Sequence, residues 1–269
     1  AGLAATLFHP ANGAVTAAAM SADGRFGAAA GRSIGEWDRE RVPQVVVWDL
    51  TDRSVSRVLD VSFDIVAQLR FSPDGARLLA RSESGQFQIW NPSTGELAHD
   101  FGGIGFGVVG DGQVRDFDFL PSGDLVVVGS AGAQFVDVDT FRMTAKWPGR
   151  DGGGFRSVAA FRDRLEILTG GSASPVVSLW NAGDASRMQE WQASGSRVDV
   201  IRVTESGDIA LTGSSGRYQI WDLRDSPSVP LQQFARASQN RTYDHRVAAL
   251  SRDGAALLLA TNQADDYRL

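Results

Sequence analysis

Three histidines, His9, His99 and His245, make up the whole imidazole inventory, and the chain has no cysteine. Bond-making chemistry needs a nucleophile, a base and a charge-stabilising group within reach of one another. Asp244 and His245 are neighbours in sequence, and neighbours on a strand point to opposite faces, so they read as rim or turn residues rather than as a carboxylate–imidazole couple. The histidines stand in different segments, without the spacing of a paired helical metal motif, and no thiolate is present to complete a zinc site. Gly105-Phe106-Gly107-Val108-Val109-Gly110 satisfies G-x-G-x-x-G. A pyrophosphate loop, however, requires a helix directly after it, and none follows. That run reads as a flexible connection. Asn240-Arg241-Thr242 is a formal glycosylation acceptor and carries no weight without a secretory context. The sequence therefore assigns no catalytic, cofactor-binding or metal-ligating residue, and the chain reads as a non-enzyme.

Recognition chemistry falls to arginine and tryptophan. Lys146 is the one lysine among 26 basic residues. Arginine's planar fork matches a carboxylate in two parallel hydrogen bonds, which an ammonium cannot do. Arg115, Arg156, Arg197 and Arg246 each fall within two residues of the expected start of a strand. Trp37 stands with Arg39 and Arg41 in the long segment from Gly31 to Gln44, and an aromatic flanked by arginines suits an interface anchor. Asp116, Asp199 and Asp244 lie within two residues of three of the strand-start arginines, so pairing inside the chain competes with pairing outside it. A formal charge of −6 and a pI of about 5.1 lack the basic footprint of nucleic-acid binders. The expected partner is a protein, and an acidic one where these arginines gather.

The elements that position these residues repeat. Ser84-Gly85-Gln86-Phe87-Gln88-Ile89-Trp90-Asn91 matches Ser215-Gly216-Arg217-Tyr218-Gln219-Ile220-Trp221-Asp222, three periods on. Weaker copies stand at Val45 to Asp49, Gln134 to Asp139 and Val176 to Asn181. A turn marker precedes each, as in Ser21-Ala22-Asp23-Gly24, Ser72-Pro73-Asp74-Gly75, Pro121-Ser122-Gly123-Asp124, Arg162-Asp163 and Ser206-Gly207-Asp208, and a sixth stands at Ser251-Arg252-Asp253-Gly254. Asp-Gly and Ser-Gly pairs supply the positive φ of tight hairpins, and the flanking runs are β-branched or aromatic. The period of about 45 residues is that of a four-stranded unit. One unit spans Ile65 to Phe71, Arg77 to Ala80, Gln86 to Trp90 and Glu96 to Phe101. Its strands alternate only in part, as strands covered on both faces do. Such a sheet cannot bury both faces alone, so stacking is required. Nothing reads as a long amphipathic helix, and apolar runs such as Ala256 to Ala260 fall far short of the ~20 residues of a membrane helix. Membrane insertion is not expected.

On these residues the chain resembles the WD-repeat family. Trp48-Asp49, Trp221-Asp222, the near-matches Trp90-Asn91 and Trp180-Asn181, and turns such as Phe71-Ser72-Pro73-Asp74-Gly75 carry the resemblance across essentially the whole chain. The family's Gly-His pair is absent, and Ser84, Ser174 and Ser215 stand where its turn Asp would be, so its buried Trp–Ser/Thr–Asp–His network should be missing from most units. The resemblance implies an all-β propeller of four-stranded antiparallel blades, one domain over residues 1–269. Six blades are expected, with Leu3 to Phe8 closing the ring beside Tyr267 to Leu269, or seven if the native chain is longer. Ala1, in place of an initiator Met, is what a processed or excerpted chain would show. The implied function is a protein-interaction scaffold or sensor module of a larger protein or complex, binding through the rim of long loops. The alternative is a propeller enzyme or small-ligand receptor using the axial channel.

Overall fold

Runs rich in valine, alanine, leucine and aromatics, broken by Ser/Thr-x-x-Gly turns, form strands throughout. The computed structural model describes residues 15–32, 43–62, 65–101, 114–148, 153–214, 217–224, 227–235, 247–250 and 257–260. The first sheet comprises β1 (Val15–Met20), β2 (Phe26–Arg32), β3 (Pro43–Asp49) and β4 (Ser54–Asp60). The second comprises β5 (Val66–Phe71), β6 (Leu78–Ser82), β7 (Phe87–Trp90) and β8 (Leu97–Asp100). The third comprises β9 (Val114–Phe119), β10 (Leu125–Gly129), β11 (Gly132–Asp137) and β12 (Arg142–Trp147). The fourth comprises β13 (Phe155–Ala160), β14 (Glu166–Gly171), β15 (Val176–Asn181) and β16 (Arg187–Gln192). The fifth comprises β17 (Val200–Val203), β18 (Ile209–Ser214), β19 (Arg217–Asp222) and β20 (Gln232–Ala235). A hairpin of β21 (Val247–Leu250) and β22 (Leu257–Ala260) follows. Each four-stranded sheet is an antiparallel meander in chain order, and the described residues contain no helix. This is the blade architecture of a β-propeller.

The repeat residues have structural duties. Ser21 donates its hydroxyl to Asp23 Oδ1 (2.6 Å) and accepts the Phe26 N–H (2.9 Å), while Gly24 takes φ +72°. Ser72 repeats the arrangement with Asp74 (2.5 Å) and the Arg77 N–H (2.9 Å), Gly75 taking φ +70°. The residue after the tryptophan position closes the next turn as an Asx turn. Asp49 accepts the Thr51 N–H (2.9 Å), Asn91 that of Ser93 (2.9 Å), Asn181 that of Gly183 (2.8 Å) and Asp222 that of Arg224 (3.0 Å). Trp48, Trp90 and Trp221 are buried core residues. Trp180 and Trp221 each donate their indole N–H at 2.8 Å, to Thr169 and Thr212 on the neighbouring strand, which supplies the Trp–Thr part of the network in two sheets.

Two compact units comprise Ala1–Gly107 and Val108–Leu269. In the first, β5 lies beside β1, and Ala17, Ala28, Val45 and Leu59 pack with Leu69, Leu78, Ala80 and Trp90. In the second, β13 lies beside β9, β17 beside β13 and β21 beside β17. First strand thus follows first strand within each unit. The sheets of the second unit bury both faces: Ile167 packs toward the third sheet, whereas Leu168 and Leu179 pack toward Ile201, Ala210 and Trp221 of the fifth. β10 is buried along its whole length, which is why its sequence does not alternate. The closing strand at Leu3 to Phe8, its partner at Tyr267 to Leu269, and with them the number of blades, lie outside the described residues. So do the long segment holding Trp37, Arg39 and Arg41, the glycine run from Gly105 to Gly110, and Arg246.

The turn carboxylates make stability sensitive to acid. Asp222 is pushed down to about 2, first by the Arg224 side chain and then by its backbone N–H. Asp23 and Asp74 are held below the ordinary carboxylate value chiefly by Ser21 and Ser72, and Asp49 and Asp137 chiefly by turn N–H groups. A carboxylate whose folded value is depressed stabilises the fold above its unfolded value, and that contribution is lost as pH falls through the folded one. Urea midpoints should therefore decline from about pH 4 down to about pH 2. Asp222→Asn should flatten the lower part of that decline, and an unchanged acid limb would contradict the assignment.

Candidate functional site

Each of the first strands β1, β5, β9 and β13 carries a register break at its second residue. The pairing passes over Thr16, Ala67, Arg115 and Arg156, so each is the extra residue of a β-bulge. A bulge bends the strand and re-aims one side chain out of the regular pleat. In the first unit that position holds small residues. In the second it holds arginine, and Arg197, just ahead of β17, continues the same spacing of 41 residues.

Two of these arginines meet on one carboxylate, and the third stands close enough to feel their charge. Arg156 Nε donates to Asp199 Oδ1, and Arg197 Nε donates to the same oxygen at 2.8 Å. Asp199 is buried to 12% side-chain exposure, whereas Arg156 and Arg197 keep 29% and 37%. Arg115 is half-buried and makes no hydrogen bond or ion pair with another described residue. Burial first, and then the positive charges of Arg156 and Arg197, hold its guanidinium below the ordinary arginine value. Arginine stays protonated at neutral pH all the same. Two guanidinium groups thus share the Asp199 oxygen, with a third positive charge near them in a partly dehydrated setting, where an added anion gains more than it would in open water.

Asp116, which the sequence offers as a partner for Arg115, does a different job, and Asp118 shares it. Asp116 accepts the N–H of Phe117 at 2.9 Å and of Val158 at 3.0 Å. Asp118 accepts those of Phe119 (2.9 Å) and Ala160 (3.0 Å), and Arg162 Nη2 approaches it at 3.1 Å. Both carboxylates are buried, and each ties the open edge of β9 to that of β13. Of the arginines expected to act in recognition, the structure gathers Arg115, Arg156 and Arg197. Trp37, Arg39, Arg41 and Arg246 lie outside the described residues. His99 packs edge-on against Phe101 at 4.3 Å, and His9 and His245 lie outside the described residues. Those residues hold no group of three carboxylates or histidines that could bind a metal ion, and no helix long and apolar enough to cross a membrane.

No family model matches the chain. It is similar to human WD repeat-containing protein 36, with 24% identity over 230 residues, covering 78% of this chain and 24% of that protein. The chain thus spans about a quarter of that relative's length. The likeness accords with the tryptophan–aspartate repeats and with the four-stranded sheets, and points to a propeller of the WD-repeat type.

Asp199 is the negative charge that holds two of the three arginines in place. Its replacement by alanine should leave their mutual repulsion unrelieved and cost about 1–2 kcal/mol of stability. Added sulfate should restore the melting temperature of Asp199→Ala more than it raises that of the wild type. Equal sulfate responses would show that the arginines do not act as one site.

Proposed function

We propose that this chain is a non-catalytic protein-binding module that holds an acidic segment of a partner against Arg115, Arg156 and Arg197. The observation that carries this reading is the meeting of Arg156 and Arg197 on Asp199, with Arg115 close enough to feel their charges. Arg115 and Arg156 sit on β-bulges that turn them out of their sheets. The likeness to a WD-repeat protein supports an interaction role at the level of the family. Arg246 and the segment with Trp37, Arg39 and Arg41 are proposed to extend the same surface.

Recognition follows from the geometry. Asp199 fixes Arg156 and Arg197 through their Nε atoms, which orients the forks and lowers the entropy lost on binding. The Arg156 fork retains N–H groups beyond the one given to Asp199, since a guanidinium carries five. Arg115 supplies a whole fork for a bidentate carboxylate pair. A chain of net charge −6 repels acidic partners at long range, so the local cluster selects those that can place a carboxylate at this point. Binding should weaken as salt screens the exposed part of the surface.

Arg115 has no partner among the described residues, so its reversal perturbs binding without breaking an ion pair. With a fluorescein-labelled hexaglutamate peptide as probe, Arg115→Glu should lose about tenfold or more in affinity while its melting temperature stays near that of the wild type. Unchanged binding by a folded Arg115→Glu protein, or equal binding of a hexalysine peptide, would overturn the proposal.

A further inference from the structure

Arg115 and Arg156 occupy the same place in consecutive sheets, the bulged second residue of β9 and of β13, and the two strand starts are fastened on both sides of them. Just ahead of β13, Gly154 lies against the turn between β10 and β11, where a methyl group would collide with the Gly129 carbonyl oxygen and the Ser130 backbone. Glycine alone leaves room for so close an approach. Just beyond the bulges, Asp116 accepts the Val158 N–H from across the gap at 3.0 Å. Backbone contact on one side and a buried carboxylate on the other thus hold the two arginines beside one another, although like charges repel. That repulsion is felt at Arg115, whose guanidinium is held below its ordinary value first by burial and then by Arg156 and Arg197.

Asp199 answers part of this charge, its Oδ1 taking the Nε of Arg156 and of Arg197. The Arg156 fork keeps N–H groups beyond that one, and Arg115 gives no hydrogen bond to another described residue. Two forks from two strands therefore remain to be met. A carboxylate has two oxygens in one plane, and a single bidentate fork engages both. A phosphoryl group presents three acceptor oxygens in a tetrahedral array and carries about −1.5 to −2 charge at neutral pH. It can meet both forks at once and offset more of the positive charge than one carboxylate does.

We propose that Arg115 and Arg156 form a subsite for a phosphorylated serine or threonine of the partner polypeptide, which rests on the reading of this surface as the site for an acidic segment and narrows it. The phosphoryl group is the anchor, and acidic residues around it add long-range attraction. An unmodified hydroxyl at the same place leaves both guanidinium groups uncompensated. Binding therefore follows the modification state of the partner.

Calorimetry with acetylated and amidated Gly-Gly-Ser-Gly-Gly peptides, the serine phosphorylated, unmodified or replaced by glutamate, tests the assignment. The wild type should bind the phosphorylated peptide about tenfold or more tightly than the glutamate peptide, and should not bind the unmodified one measurably. Arg115→Gln should bring the phosphorylated and glutamate peptides to equal affinity, with a melting temperature near that of the wild type. Inorganic phosphate should compete less well than the phosphorylated peptide. Equal affinity of the wild type for the phosphorylated and glutamate peptides would overturn the phosphoryl subsite while leaving hexaglutamate binding intact, whereas loss of hexaglutamate binding would strike the acidic-segment reading itself. A folded Arg115→Gln protein that keeps the preference overturns the subsite as well, and inorganic phosphate competing as well as the peptide overturns the assignment to a polypeptide. Should Arg115→Gln fail to fold, the comparison of peptides on the wild type decides.

Discussion

Val158 and Ala160 turn their N–H groups away from β14, toward an edge of β13 that no strand covers, and Asp118 and Asp116 close that edge. An open strand edge is costly when buried and prone to mispairing when exposed. Here each carboxylate spans two edges at once, taking one N–H from its own strand and one from the next sheet. Because the two aspartates are two residues apart on a strand, they point the same way and form two rungs of one ladder. A hydrogen bond to a charged acceptor contributes about 1.5–3 kcal/mol, and a buried carboxylate without such partners would be strongly unfavourable. The rungs set the register between the third and fourth sheets. Further along, the Ser157 hydroxyl donates to the Val198 carbonyl at 2.9 Å and links the fourth sheet to the fifth.

That register places the proposed binding chemistry. With β9 and β13 locked side by side, their bulged second residues, Arg115 and Arg156, stand next to one another, and Asp199 draws in Arg197. Arginine at the bulge is thus a departure from a common blade plan, and it falls where the plan supplies a rigid frame.

Much of this plan is legible in the sequence because its signals are local. Asp-Gly and Ser-Gly turns and the Trp-Asp or Trp-Asn pairs place the strands of the second sheet closely: Ile65 to Phe71 is expected and Val66–Phe71 is found, Gln86 to Trp90 is expected and Phe87–Trp90 is found. The spacing of Arg115, Arg156 and Arg197 is likewise visible. The bulges are not, since an extra strand residue leaves no mark in composition. Asp116 reads as a partner for its neighbour Arg115, because its true partner, the Val158 N–H, lies 42 residues away on a strand edge known only once the sheets are stacked.

Amide hydrogen exchange at Val158 and Ala160 tests the carboxylate ladder most directly. These N–H groups belong to an edge strand and, without the ladder, should exchange like open-edge amides. The account predicts that in the wild type they are protected to the level of the β13 amides paired with β14, such as that of Ala159, and that Asp118→Ala selectively releases Ala160. Exchange of Val158 and Ala160 as fast as that of exposed turn amides in the wild type would contradict it.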